Sequence, residues 1–193
     1  MNVKIAIIGS QGTGKKTLVS KLQKELHRRG KTVNVVKEVA RSCPFGINEQ
    51  GTFLSQRWIF HEQLTKELEA EYKDPDIILY NRAILDNLCY MERISENHKP
   101  FPVVEYLQMV EIARYWSQKY DYIIYMPLNL KWLKEDGTRS TDPDFAKDID
   151  TRISKMINDF GLKYTRYRKN FSIPTFCDKF STRKKVKIIN RRK

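Results

Sequence analysis

The run "IAIIGSQGTGKKTLVSKL", residues 6–23, constrains this chain more than any other stretch. Residues 3–8 are continuously apolar apart from Lys4 and stop at Gly9, the pattern of a strand buried on both faces of a parallel sheet. Leu18, Leu22 and Leu26 follow at four-residue spacing before Gly30, which predicts a helix over residues 16–29 with a glycine at its C-terminus. Between strand and helix stands the loop "GSQGTGK", Gly9 to Lys15, of the form G-x-x-x-x-G-K. Its glycines let backbone N–H groups turn inward around an anion, the helix start adds partial positive charge, and Lys15 reaches the outer phosphates. Gly9, Gln11, Gly12, Thr13, Gly14, Lys15, Lys16 and Thr17 are therefore expected to hold a nucleotide, taken as ATP.

Beyond the loop, strands and helices alternate. Strands are predicted at residues 32–36, 76–80 and 120–127, the last stopped by Pro127, with "SIPTFC" at 172–177 as a fifth, edge-type strand. Helices are predicted at 52–71, on a stripe of Leu54, Trp58, Leu64 and Leu68, at 83–93, and at 103–119 through Val103, Val104, Leu107, Val110 and Trp116. A further helix over 142–160 opens on Asp142 as N-cap and Pro143 in its first turn. Such alternation predicts an α/β fold: a doubly wound, mostly parallel five-stranded sheet flanked by helices, of the P-loop NTP hydrolase or kinase type. Ligands in these sheets bind at the carboxyl ends of the strands.

Magnesium is the point of tension. The residue after the loop lysine ordinarily offers Mg²⁺ a hydroxyl, and an acid at the end of a later strand supports the ion's water shell. Here those positions hold Lys16 and Asn81. Thr17 has a hydroxyl, but one residue further along a helix is a turn of ~100° away. An ammonium and a neutral amide together remove the charge that attracts the ion, whereas a Lys16 directed to solvent would leave waters to hold it. ATP is thus the expected cofactor, Mg²⁺ is left open, and no metal ligand is assigned.

The chain has 193 residues and no linker-like stretch, so one domain is expected over residues 1–178, with a lid-like segment near 134–145. Net charge is +13, but residues 179–193 hold eight Lys or Arg and no acid, leaving +5 for the rest. That basic tail is a candidate contact for RNA or another polyanion, or simply a solvated terminus. Cys43, Cys89 and Cys177 are odd in number and scattered, and His27, His61 and His98 lack paired spacing, so neither a disulfide framework nor a zinc site is expected. No run of ~18 apolar residues and no leader pattern is seen, so no membrane partner is expected and the location is read as cytoplasmic.

With these residues in place, the chain resembles the P-loop small-molecule kinase group. Within it, the likeness is to the AAA-type family that includes the ribosylnicotinamide kinase domain of NAD-synthesis regulators. Besides the loop, the resemblance rests on "KEVARSCPFGIN" (37–48), "NRAILDNLCY" (81–90) and "DGTRSTDPDF" (136–145), and it runs from residue 3 to about 160. It implies transfer of a γ-phosphate to a nucleoside, nucleotide or similar small hydroxyl acceptor. Glu38 would take the acceptor's proton, its alternative being a surface pair with Arg41. Arg82 and, in the lid, Arg139 would neutralise the transferring phosphoryl, with Arg152 a further candidate. Asp86 would bind a metal or a sugar hydroxyl, or cap its helix. Arg41 and Asn48 would line the acceptor site, with Glu49 in the covering loop; Phe53 and Trp58 would either stack on a ring or pack in the core. The alternatives are a slow ATPase switch, or a nucleotide- or RNA-binding module with impaired Mg²⁺-dependent catalysis.

Overall fold

The computed structural model describes residues 2–97, 100–133 and 140–181. Strand β1 (Val3–Ile8) occupies the middle of the sheet because it carries apolar side chains to both faces. Val3, Ile5 and Ile7 point into one layer, and Ala6 and Ile8 into the other. β2 (Val33–Val36), β3 (Ile77–Asn81), β4 (Tyr122–Tyr125) and the two-residue β5 (Thr165–Arg166) complete it in the order β2-β3-β1-β4-β5. Every pairing is parallel, so the expected mostly parallel sheet is parallel throughout. Because β1 pairs on one side with β3 and on the other with β4, the strand order reverses around the end of β1. The glycine loop leaves the sheet there, at the switch point where α/β proteins bind ligands.

Helix α1 (Lys15–Arg28) lays Leu18, Leu22 and Leu26 on one face of the sheet, joined by Phe176 and Cys177 of α6 (Ile173–Asp178). On the opposite face lie α2 (Phe53–Tyr72), α3 (Ile84–Asn97), α4 (Val103–Ser117) and α5 (Pro143–Asp159). Asp142 caps α5 as expected, its carboxylate accepting from the N–H groups of Asp144 and Phe145. Replacing it by alanine is expected to cost about 1 kcal/mol, a fall in Tm of about 2–4 °C for a domain of this size. Thermal unfolding followed by circular dichroism checks that.

Three sequence expectations are corrected. Residues 172–177 are not a strand: Ser172 accepts from the N–H of Thr175 as an N-cap, and Pro174 in the first turn suits a helix. The fifth strand is β5 instead. The apolar stripe assigned to α2 is not its core face, since Leu54 and Leu68 are exposed and Trp58 with Leu54 and Phe45 lines an outer groove. The buried face carries Ser55, Gln56, Ile59, Phe60, Gln63, Glu67 and Ala70. It can be polar because its members are hydrogen-bonded to one another and to the site. Likewise α4 exposes Val103, Val104 and Leu107 and buries Met109, Ala113 and Ser117, a narrow four-spaced stripe of smaller residues. Phe180, counted with the basic tail on charge, is buried against Tyr122 and Phe176. Cys89 and Cys177 are buried and Cys43 is partly exposed, all three as free thiols. No helix among the described residues is long and apolar enough to cross a membrane.

Candidate active site

The loop after β1 is shaped by its glycines. Gly9, Gly12 and Gly14 have φ of 150°, 70° and 87°, and the last is the N-cap of α1 with no side-chain hydrogen bond closing the helix end. An α1 N-terminus left without a side-chain cap presents its first N–H groups to an anion. Lys15 is buried and folds back over the loop, its Nζ donating to the carbonyls of Gly9 at 2.7 Å and Ser10 at 2.5 Å. Trp132 and Leu133, beyond β4, close over the same loop: a Cβ on Gly12 would lie 3.0 Å from Leu133, and one on Gly14 would lie 3.3 Å from the Trp132 ring.

A knot of charge lies beside it. Arg82, just past the end of β3, adopts φ +84°, a backbone region unusual for a side chain of its size. Its Nε donates to Glu38 Oε1 at 2.6 Å and its Nη1 to the Gly9 carbonyl at 3.3 Å, and it stands 3.6 Å from Asp86. Glu38 also accepts from Arg41 Nε at 3.2 Å. The two alternatives for Glu38 therefore merge, for it pairs with Arg41 on its outer side and with partly buried Arg82 on its inner side. Burial pushes the Glu38 carboxyl up, but Arg82, Lys15 and Arg41 outweigh it and hold the group well below the usual carboxylate range. Asp86 is buried, and burial raises its carboxyl above the ordinary value despite Arg82 and Lys15. Its oxygens accept from the N–H groups of Gly9 at 3.0 Å and Ala83 at 2.9 Å, so it both caps α3 and ties that helix to the phosphate loop.

Two clefts meet at this knot. The first is lined by Gln11, Gly12, Thr13, Gly14, Lys15, Lys16 and Thr17 together with Glu38, Asn81 and Arg82. Lys16 and Asn81 thus share one cleft, as the spacing of the motifs suggested, and Thr17 borders it too despite its step around the helix. The second is a pocket into which Glu38, Arg41, Asn48, Arg82 and Asp86 all face. Gln56, Gln63, Asn87 and Tyr90 line it as well, and sequence reading missed them. Asn87 Nδ2 donates to Gln56 Oε1 at 2.7 Å, and the Tyr90 hydroxyl donates to Gln11 Oε1 at 3.0 Å. Two glutamines seven residues apart inside α2 were the available signal, masked by the outward leucines.

Other candidates lie elsewhere. Arg152 is bound to Asp148, Glu92 and Glu96 on the α3–α5 surface. Phe53 packs edge-on against Phe101 at 5.0 Å and Trp58 faces the outer groove, so neither lines the pocket. Glu49 accepts a hydrogen bond from Ser140, joining the loop over the pocket to the segment before α5. Arg139 and residues 134–139 of the lid-like segment fall outside the described residues, as do His98 and residues 182–193 of the tail. Among the described residues the cleft does not suit a protein-bound divalent cation: Lys15 and Lys16 border it, Asn81 is neutral, and the one carboxylate among them, Glu38, is engaged by two guanidinium groups. Among the described residues no group of three His, Cys, Asp or Glu could hold a metal ion.

A glycine loop opening a helix at the switch point of a five-stranded parallel sheet defines a P-loop nucleotide-binding domain. The family model described as an AAA domain matches residues 4–172, and the chain belongs to that family. Among solved structures it is similar to deoxyadenosine kinase from M. mycoides with bound dATP, at a TM-score of 0.65 and 17% identity over 92% of this chain and 96% of that one. The same enzyme with bound dCTP gives 0.64 and 17%, over 91% and 95%. With dCMP and dCDP it gives 0.63 and 16%, over 91% and 95%. These likenesses show the fold. Comparison with curated proteins gave no match.

Proposed function

We propose that the protein is a phosphotransferase that moves the γ-phosphate of ATP to the hydroxyl of a nucleoside or nucleotide. The observation that carries this reading is that Glu38 and Arg82 border both the phosphate-loop cleft and the neighbouring pocket, the position a group must hold to act between donor and acceptor. ATP phosphates would lie on the N–H groups of the loop, with Lys15 and Lys16 supplying positive charge. A groove lined by Gly14, Trp132 and Tyr167 gives its base an aromatic surface. The acceptor would fill the second pocket, its hydroxyl toward Glu38.

Arg82, Lys15 and Arg41 hold Glu38 ionised near neutral pH, ready to accept a hydrogen bond from that hydroxyl. A carboxylate this weakly basic takes the proton late, which suits a loose phosphoryl-transfer transition state. Arg82 then neutralises charge on the transferring group, with Arg139 proposed to join it from the lid. We derive no step through a protein-bound metal. The amide pair Gln56–Asn87 and the Gln11 side chain suit a nucleobase or carboxamide, which supports nucleosides as the acceptor class. Deoxynucleosides, by likeness to the kinase above, and ribosylnicotinamide, by the motifs, are the two we place first.

Labelled γ-phosphate offered with a panel including deoxyadenosine, deoxycytidine and ribosylnicotinamide, with and without Mg²⁺, tests the proposal. Transfer to at least one acceptor is expected. Phosphate release without an acceptor would replace it with an ATPase switch. No turnover combined with RNA binding that weakens steeply with salt would replace it with a binding module, in which residues 179–193 hold the polyanion.

A further inference from the structure

Glu67 is a carboxylate on the inner face of α2 with no exposed surface and no cation bonded to it among the described residues. Three neutral donors surround it. Gln63 Nε2 donates to Oε1 at 2.8 Å, Trp116 Nε1 to Oε2 at 2.7 Å, and the Tyr120 hydroxyl to both oxygens at 2.9 and 3.0 Å. Two of these donors continue outward. The second hydrogen of Gln63 Nε2 points to the Arg82 carbonyl at 3.5 Å, and the Tyr120 oxygen accepts from the N–H of Ile84 at 3.4 Å. Both arms therefore end on the turn of residues 82–84, one on each side of Ala83. That turn holds Arg82 at φ +84°, a conformation that persists only where surroundings fix it.

We propose that Glu67 is a positioning residue: its carboxylate, acting through Gln63 and Tyr120, fixes the strained turn that aims Arg82 at Glu38 and the phosphate-loop cleft. The three donors, as placed, suit the charged form. A protonated Glu67 brings a hydrogen of its own to this ring, and the Tyr120 oxygen can accept it only by turning its own hydrogen away from the carboxylate, which alters the Tyr120 arm. Losing the Gln63 or Tyr120 arm frees one side of the turn, and Arg82 then loses its fixed aim. The catalytic part of this inference rests on the phosphotransferase reading, whereas the structural part does not.

The ionisation falls in an accessible range. Burial pushes Glu67 up to about 7, against the pull of Gln63, Trp116 and Tyr120, and Glu71 adds to the rise. Facing it from the neighbouring elements are Tyr80 of β3 and Tyr120 before β4, and the Lys119 ammonium lies 3.9 Å over the Trp116 ring. Glu71 itself is paired with Lys4 of β1 at 2.7 Å. The tyrosines are pushed upward by burial and stay neutral across this range. Glu38 stays ionised throughout, so a loss of activity on acidification near neutrality would not come from it. The stability sign runs opposite to the activity sign. Folded Glu67 holds its proton more tightly than the unfolded chain, so its contribution weakens the fold as pH rises from the ordinary carboxyl value through about 7.

The test is a nitrogen-15 NMR titration of the full chain from about pH 5.5 to 8.5, a window centred on that ionisation. It follows the Trp116 indole N–H, assigned by Trp116→Phe, and the Arg82 Nε–H, assigned by Arg82→Lys. Both signals are expected to move together in one step near 7, and to lie still in Glu67→Gln. A Trp116 step without an Arg82 step overturns the positioning role, and the absence of any step overturns the switchable charge. If Glu67→Gln does not fold, Gln63→Leu serves. Trp116 should keep its step while that of Arg82 shrinks, and an unchanged Arg82 response overturns the proposal.

Where phosphoryl transfer is measurable, kcat should rise with pH through the same step and fall about tenfold in Glu67→Gln. KM for ATP should be unchanged and Glu67→Asp should restore part of the rate. A pH-independent kcat in wild type contradicts the inference. Absence of transfer in every variant counts against the phosphotransferase reading alone, because the NMR outcome still decides the fate of Glu67.

Discussion

Replacing Glu38 by glutamine is expected to lower kcat for phosphoryl transfer by about 10²–10⁴, with ATP binding retained. The amide keeps the size of the side chain and an oxygen for Arg82 Nε, now at 2.6 Å from the carboxylate. It cannot take a proton from the acceptor. It also leaves the Arg82 guanidinium with less compensating charge, although Asp86 at 3.6 Å and the Gly9 carbonyl at 3.3 Å remain. Some destabilisation is therefore expected, since removing one partner of a buried ion pair strands the other. Steady-state kinetics with parallel thermal unfolding separates the two effects. A folded Glu38→Gln protein with near wild-type kcat would remove Glu38 from the chemistry.

The second large effect is at Gly9. A Cβ there would lie 2.4 Å from the Met126 carbonyl oxygen, a backbone atom, and 3.2 Å from Thr13 Oγ1, while φ is +150°. Neither the strand end nor β4 can yield without breaking pairing, because Met126 N–H donates to the Ile8 carbonyl at 2.8 Å. Gly9→Ala is expected to cost about 3 kcal/mol or more, the range of steric overpacking and backbone strain combined. At this chain length that is a fall in Tm of about 6–12 °C. Gly30→Ala is the internal comparison. Its φ is +73° but nothing lies within 4 Å of the added atom, so only the conformational cost of about 1 kcal/mol applies. Equal losses at the two glycines would show that the contact with Met126 does not matter.

How much of this was legible in the sequence follows from what each residue depends on. The loop and β1 were readable because their signals are local: glycine spacing, an apolar run and an amphipathic helix lie within one 30-residue unit. The candidate residues from distant motifs, Glu38, Arg41, Asn48, Arg82 and Asp86, do face one pocket. The inner face of α2 was not readable. Hydrophobic spacing favoured Leu54 and Leu68, and what buries Gln56, Gln63 and Glu67 is a set of partners at residues 82, 87, 116 and 120. Polar burial of this kind is decided by tertiary contacts that no local window holds. Residues 172–177 were misread for a related reason. Their apolar composition suits a strand or a short buried helix alike, and the Ser172 cap and Pro174 decide for the helix.

The central claim is that this cleft holds nucleotide phosphates through its own cations. The paired presence of Lys16 and Asn81 beside Lys15 gives it positive charge and, among the described residues, no assembled set of metal ligands. Calorimetric titration of ATP with and without Mg²⁺, on the wild-type protein and on Lys16→Thr/Asn81→Asp, tests this most directly. Wild-type affinity is expected to be as high without Mg²⁺ as with it, and the double variant is expected to bind tightly only when Mg²⁺ is present. Wild-type binding that depends on Mg²⁺ would contradict the account.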